Sequence, residues 1–172
     1  EIKLGYNDLC NLYDNNISVA IRSSSTAEDL PDASFAGQQD TYLNISGIDD
    51  VIIGIKKCYA SLFNDRAISY RQSLNYPLNK TKLSVGIQRM VRSDVGSAGV
   101  AFSLDTESGY DGVILINGSY GLGELVVGGS IIPDEFLVSK RAINNNFYPI
   151  LNKKIGIKDK KMIFSTEGGT IE

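Results

Sequence analysis

Residues 83–119, LSVGIQRMVRSDVGSAGVAFSLDTESGYDGVILINGS, decide the fold class. They hold three short apolar runs, 83–91, 98–105 and 112–119, separated by turn chemistry such as TESGYDG. Runs of this length bounded by Gly, Asp and Ser read as strands. Two more candidates follow at 133–141 (PDEFLVSKR) and 162–165 (MIFS), with a weaker sixth at 147–157 (FYPILNKKIGI). Nine of the 17 glycines fall between Gly96 and Gly129, so backbone freedom is concentrated in the loops of this sheet. Upstream the pattern is helical. Apolar residues recur three and four apart from Val51 to Leu74, which predicts one long helix, or two with a break near Asn64 and Asp65. Ile2, Leu4, Leu9, Leu12 and Tyr13 form a rough helical face over 1–14, weakened by Gly5. NISVAIRS (16–23) is a short apolar β-rich run ending on an arginine and serines. A strand, helices and then an antiparallel-looking sheet predict an α+β fold, mostly antiparallel with flanking helices.

The chain has 172 residues and a net charge of −3, with 42% hydrophobic and 22% charged residues. Length favours one domain of roughly 150 residues, large enough to bury a real core. The acidic balance, pI near 5.0, argues against a nucleic-acid or anionic-membrane partner. No apolar run reaches the roughly 20 residues that span a bilayer. The lysines Lys56, Lys57, Lys153, Lys154, Lys158, Lys160 and Lys161 read as solvated faces. Two cysteines, Cys10 and Cys58, cannot form a disulfide framework, which points to a reducing, cytoplasmic setting. Cys58, at helical spacing with Ile52, Ile55 and Leu62, reads as a core residue. The absence of histidine excludes histidine bases, Ser–His and Cys–His pairs, phosphohistidine and histidine metal ligands. The missing initial Met and the polar GGTIE ending read as cuts through a longer protein.

Three stretches could carry chemistry. The first is the polar connection 23–41, SSSTAEDLPDASFAGQQDT, with Arg22 at its start. A guanidinium is a permanent, planar fork suited to phosphate oxygens. The hydroxyls of Ser23, Ser24, Ser25, Thr26 and Thr41, and the amides around Gly37, can donate to the same anion. Ser25 and Glu28 match a capping box, and Pro31 limits any helix there to about one turn. The acids Glu28, Asp29, Asp32 and Asp40 argue for a metal ion nearby or for carboxylates turned to solvent, and a solvated surface loop is the plain alternative. The second is VGIQRMVRSD (85–94), where a strand end with Gln88, Met90 and Val91 could meet a purine, or be a core strand with Ile87 inward and Gln88 outward. The third is NGSYGLGE (117–124), whose glycines match neither the dinucleotide fingerprint nor the P-loop. A hairpin turn explains it equally well, and Glu124 is an exposed loop acid or a metal or ribose contact.

AIRSSSTAEDLPDASFAGQQDTYLN (20–44), SLFNDRAISYR (61–71), VGIQRMVRSD (85–94), GVAFSLDTESGYD (99–111) and GLGELVVGGSIIPDEF (121–136) occur in this order and at natural spacing. Together they closely resemble the nucleotide-binding domain of the phosphoenolpyruvate synthase (pyruvate, water dikinase) family, an ATP-grasp fold. The resemblance implies that the chain is a fragment, an incomplete ATP-grasp domain spanning 1–172. It implies ATP and Mg²⁺ as cofactors, and conversion of pyruvate, ATP and water to phosphoenolpyruvate, AMP and phosphate. The phosphoryl group would pass through a histidine on another domain and reach pyruvate on a third, in a homodimeric parent. By motif, Arg22 would contact the ATP phosphates, Gly37 and Thr41 would belong to the loop closing over them, and Gln88 would contact the nucleotide with Met90 and Val91 beside the adenine. Glu124 is carried over as a further contact, and no metal ligand is assigned. The family's GGK lysine and its DIEW block with Glu, Gln and Arg have no match here, so weak or no ATP binding and no turnover are expected of this chain alone. Rivals are a related rifampicin or glucan dikinase, against which PDASFAGQQDT, VRSD and PDEF speak, and a stand-alone binding module.

Overall fold

A computed structural model describes residues 1–13, 17–26, 29–30, 33–34, 40–77 and 81–172. The chain forms two compact units, Glu1–Val91 with Ser165–Gly169, and Arg92–Phe164 with Thr170–Glu172. The expected α+β composition and mostly antiparallel pairing are both found.

The first unit contains α1 (Ile2–Tyr13), β1 (Val19–Ser25), a two-pair hairpin of β2 (Asp29–Leu30) and β3 (Ala33–Ser34), β4 (Thr41–Ile45), α2 (Ile48–Ala60), α3 (Asp65–Ser73) and β5 (Leu83–Arg89). β1 is the middle strand of a β4-β1-β5 sheet, antiparallel to both neighbours. Side chains alternate across a strand. Val19 and Ile21 are fully buried on one face, where they cluster with Val51, Ile55 and Cys58 of α2, and with Tyr6 and Ile17. Val51, Gly54, Ile55 and Cys58 form the buried stripe of α2 at helical spacing. A Cβ added at Gly54 would lie 2.4 Å from Ile21 Cδ1, so the glycine permits close helix–sheet approach. Tyr6 ties α1 in place: its hydroxyl donates to the Ile17 carbonyl at 3.2 Å and accepts from the Gly47 amide at 2.9 Å.

The helix break falls where expected. After α2 a single 3₁₀ turn spans Ser61–Phe63, and Asn64 caps α3 by accepting from the Ala67 amide at 2.8 Å. Other expectations are corrected. β1 runs on through Ser25, because Ser23, Ser24 and Ser25 pair with Val85, Ser84 and Leu83 of β5. Ser25 is therefore a strand residue rather than a helix cap, and Glu28 lies outside the described residues. β4 emerges from what reads as the end of a polar connection. β5 joins β1 rather than the strands that follow it in sequence.

The second unit contains β6 (Ser97–Phe102), β7 (Val113–Tyr120), α4 (Glu124–Val127), β8 (Asp134–Ser139), α5 (Lys140–Asn144), β9 (Ile150–Lys154), β10 (Ile163–Phe164) and β11 (Thr170–Ile171). Its main sheet is an antiparallel β6-β7-β8-β9 meander. Val113, Leu115, Leu122, Leu125, Ile131 and Val138 are its buried apolar residues. At its start, Arg92 donates from Nε and Nη2 to the two carboxylate oxygens of Asp94, each at 2.8 Å, with the guanidinium 5.3 Å from the Phe164 ring centre. That bidentate pair holds the Asp94 carboxyl below its usual range. Lys158 is not a solvated lysine: its side chain is only 11% exposed, and it ion-pairs with Asp134 and donates to the Gly156 carbonyl. Among the described residues no helix is long and apolar enough to cross a membrane.

Two outcomes follow from this packing. Gly54→Val must displace Ile21 within a filled core, and it should lower unfolding free energy by about 1–3 kcal/mol in a urea titration. A carboxyl held below its unfolded value of about 3.9 contributes stability above that pH and loses it as pH falls through the native value. Asp94→Asn should therefore flatten the acid limb of the stability–pH curve below about pH 4. Parallel acid limbs in the two proteins would refute that role for Asp94.

Candidate functional site

Burial of Val19 and Ile21 sends Arg22 to the opposite, open face of β1, and its neighbours there follow from register. Arg22 faces Thr41 on β4 and Gly86 on β5, while Ala20 faces Gln88 and Ser24 faces Ser84. Residues directly opposite in an antiparallel pair share a face. The open face thus gathers Arg22, Thr41, Ser24, Ser84 and Gln88. Gly86, directly opposite Arg22 on β5, puts no side chain of its own beside the guanidinium. All five polar residues but Ser24's strand partner Ser84 come from motifs singled out above, and all are exposed.

Arg22 Nη1 donates to Gln88 Oε1 over 3.4 Å, a long contact that orients the fork without consuming it. Among the described residues Arg22 has no ion-pair partner. The nearest acid in sequence on β4's side, Asp40, instead lies 3.6 Å from Arg66 and accepts from the Tyr42 hydroxyl at 3.4 Å. Burial first, and the Asp40 charge second, push both the Tyr42 phenol and the Cys58 thiol up. Cys58 is fully buried and stays a protonated core residue, as its spacing implies. A guanidinium with no ion-paired carboxylate among the described residues and hydroxyls on both neighbouring strands suits an anion with several oxygens.

The remaining candidates are placed as follows. Gly37 lies outside the described residues. Met90 is half-buried, and its amide already donates to the Ser18 carbonyl at 2.9 Å, so it has no free N–H for a base edge. Val91 is 79% exposed. Glu124 belongs to the second unit, exposed at the first position of the four-residue α4. The glycines before it make a strand-to-helix turn rather than a hairpin. Gly121 has φ +80° and bridges Met162, and an added Cβ would sit 2.4 Å from the Met162 carbonyl oxygen. Among the described residues no group of three or more Cys, Asp or Glu side chains could hold a metal.

Sequence reasoning missed Asn44, which is buried with positive φ at the far end of β4. Its type was the available signal, since Asn tolerates the left-handed region better than most residues.

Comparison with known proteins gives a consistent result. The family model described as pyruvate phosphate dikinase, AMP/ATP-binding domain, matches residues 1–172. The chain is 53% identical over 166 residues to a phosphoenolpyruvate synthase of Aquifex aeolicus, covering 96% of this chain and 19% of that protein. It is 58% identical over 150 residues to one of Helicobacter pylori, covering 87% and 18%, and 53% identical over 152 residues to one of Escherichia coli, covering 88% and 19%. The chain thus spans about a fifth of the length of these relatives. With a match along its whole length, the chain belongs to the pyruvate phosphate dikinase AMP/ATP-binding domain family.

Proposed function

We propose that this chain is the nucleotide-binding part of a phosphoenolpyruvate synthase, and that its open β4-β1-β5 face receives the phosphates of ATP. The parent reaction is conversion of pyruvate, ATP and water to phosphoenolpyruvate, AMP and phosphate. The observation that carries the reading is Arg22, a guanidinium without an ion-pair partner among the described residues, set directly opposite Thr41. The names of the relatives support the same assignment.

Phosphoryl transfer asks a protein mainly for positioning and charge neutralisation. Arg22 would neutralise charge developing on the phosphoryl oxygens, and the Thr41 hydroxyl would donate to the same group. Gln88 would keep the guanidinium aimed across the sheet, with Gly37 in the closing loop. Met90 and Val91 would flank the base through their side chains, because the Met90 amide is engaged. Glu124 is proposed as a further contact to the nucleotide. Mg²⁺, if bound with ATP, would add charge neutralisation at the phosphates. The chain has no histidine, so the phosphohistidine carrier of this reading would lie elsewhere in the parent. That separation of roles accords with an ATP-grasp domain in a parent with phosphohistidine and pyruvate-binding domains, acting as a homodimer in the cytoplasm. The free thiols of Cys10 and Cys58 suit such a reducing compartment.

Arg22→Ala in the full-length protein should lower the rate of AMP formation about 10²–10³-fold, the cost of removing one charge-stabilising donor. Arg22→Lys should recover only part of it, since an ammonium lacks the planar fork. Rates near wild type for Arg22→Ala would remove Arg22 from the site. Calorimetric titration of the chain itself with MgATP should give millimolar affinity or weaker, because its 172 residues include neither a GGK lysine nor a DIEW block. Micromolar affinity would show that those groups are dispensable for binding.

A further inference from the structure

The β1–β4 pairing contains an irregularity that decides which residue stands beside Arg22. Val19 pairs with Ile45, but Ile21 pairs with Tyr42 and Arg22 with Thr41. Two steps along β1 therefore match three steps along β4, so β4 carries one extra residue, a β-bulge. Pairing carried straight from Val19–Ile45 would set Tyr42, not Thr41, opposite Arg22. A slip of one residue turns every side chain to the other face. Without the bulge the Thr41 hydroxyl would leave the open face and the Tyr42 ring would take its place.

Asn44 lies inside the bulge with left-handed backbone, φ +55°, as in the bulge type whose first residue is left-handed. It is 8% exposed, and its hydrogen-bonding groups are extensively engaged within the first unit. Its Nδ2 donates to the carbonyls of Ser165 at 2.9 Å and Gly169 at 2.7 Å. Its Oδ1 accepts from Ser18 Oγ at 2.7 Å, and its backbone carbonyl accepts from the Gly169 amide at 3.2 Å. The kink is thus fastened on both sides, to the residue before β1 and to the turn Ser165–Gly169.

We propose that Asn44 is a positioning residue: by holding the bulge in β4 it sets the register that places the Thr41 hydroxyl next to the Arg22 guanidinium. The functional meaning of this rests on the nucleotide reading of that face, whereas the register claim stands by itself. Asn44→Gly keeps left-handed backbone accessible and should keep the pairing, though with the side-chain bonds lost. Asn44→Val, with a β-branched residue that resists positive φ, should lose the bulge and let β4 slip.

The test is NMR of this chain, reading cross-strand nuclear Overhauser contacts of Arg22 together with shifts induced by millimolar MgATP. Wild type and Asn44→Gly should show Arg22 opposite Thr41. Asn44→Val should show Arg22 opposite Tyr42, with the ATP-induced shift lost at Thr41 and kept at Gln88 on the undisturbed β5 side. A general loss of stability would not separate those two signals. An Asn44→Val protein that folds with Arg22 still opposite Thr41 overturns the proposal. Should that variant not fold, Asn44→Ala gives the same decision: it also disfavours positive φ but adds no branched bulk. A folded Asn44→Ala protein should show Arg22 opposite Tyr42, and Arg22 still opposite Thr41 overturns the proposal. The nucleotide reading is decided separately, by the AMP-formation rate of Arg22→Ala in the full-length protein, and the register contacts decide the role of Asn44 by themselves.

Discussion

Packing of Val19 and Ile21 against α2 is the constraint on which the first unit turns. Both side chains are fully buried among Val51, Ile55 and Cys58, with the Gly54 backbone close enough to touch Ile21. A strand alternates faces, so this burial leaves Arg22 one place to go. Moving β1 by one residue would bury an unpaired guanidinium, at a cost of several kcal/mol, and expose two β-branched side chains. Arg22 is thereby delivered to the open face by the hydrophobic effect, before any ligand is considered. Because β1 is the central strand, β4 sets Thr41 directly opposite Arg22 and β5 brings the Gln88 amide oxygen to its guanidinium.

The distribution of ion pairs reinforces that result. Asp40 lies against Arg66, Asp94 is bound bidentately by Arg92, and Asp134 holds Lys158. Each of these acids has its own cation, and none of the three is spent on Arg22. Among the described residues, no carboxylate is ion-paired to Arg22. This is the electrostatic condition for phosphate recognition by a single arginine supported by neutral donors.

The meander of β6, β7 and β8 was legible because alternation and turn residues are both local signals, and so was the α2–α3 break, where Asn64 is a strong cap. Arg22 stood out because a charge closes an apolar run. What stayed hidden was non-local. Ser23–Ser25 look like loop until β5 supplies their ladder partners. Thr41–Ile45 has no clean period because the bulge at Asn44 breaks it. The position of β5 beside β1, and the ion pair that draws Lys158 out of solvent, depend on chain segments far apart in sequence. Resemblance to a known family identified Gln88 and Thr41 as candidates, but their meeting beside Arg22 is a matter of register that no single segment encodes.

The contrast between the two thiols has a practical side. Cys58 is fully buried in the core with its proton held by burial, whereas Cys10 on α1 is partly accessible. Alkylating reagents act on the accessible thiolate, so the native chain offers a single attachment point for a fluorophore or spin label. That point sits two turns or so from the chain end of a helix whose anchor is the Tyr6 hydroxyl, and a probe there would report detachment of α1 without any engineered cysteine.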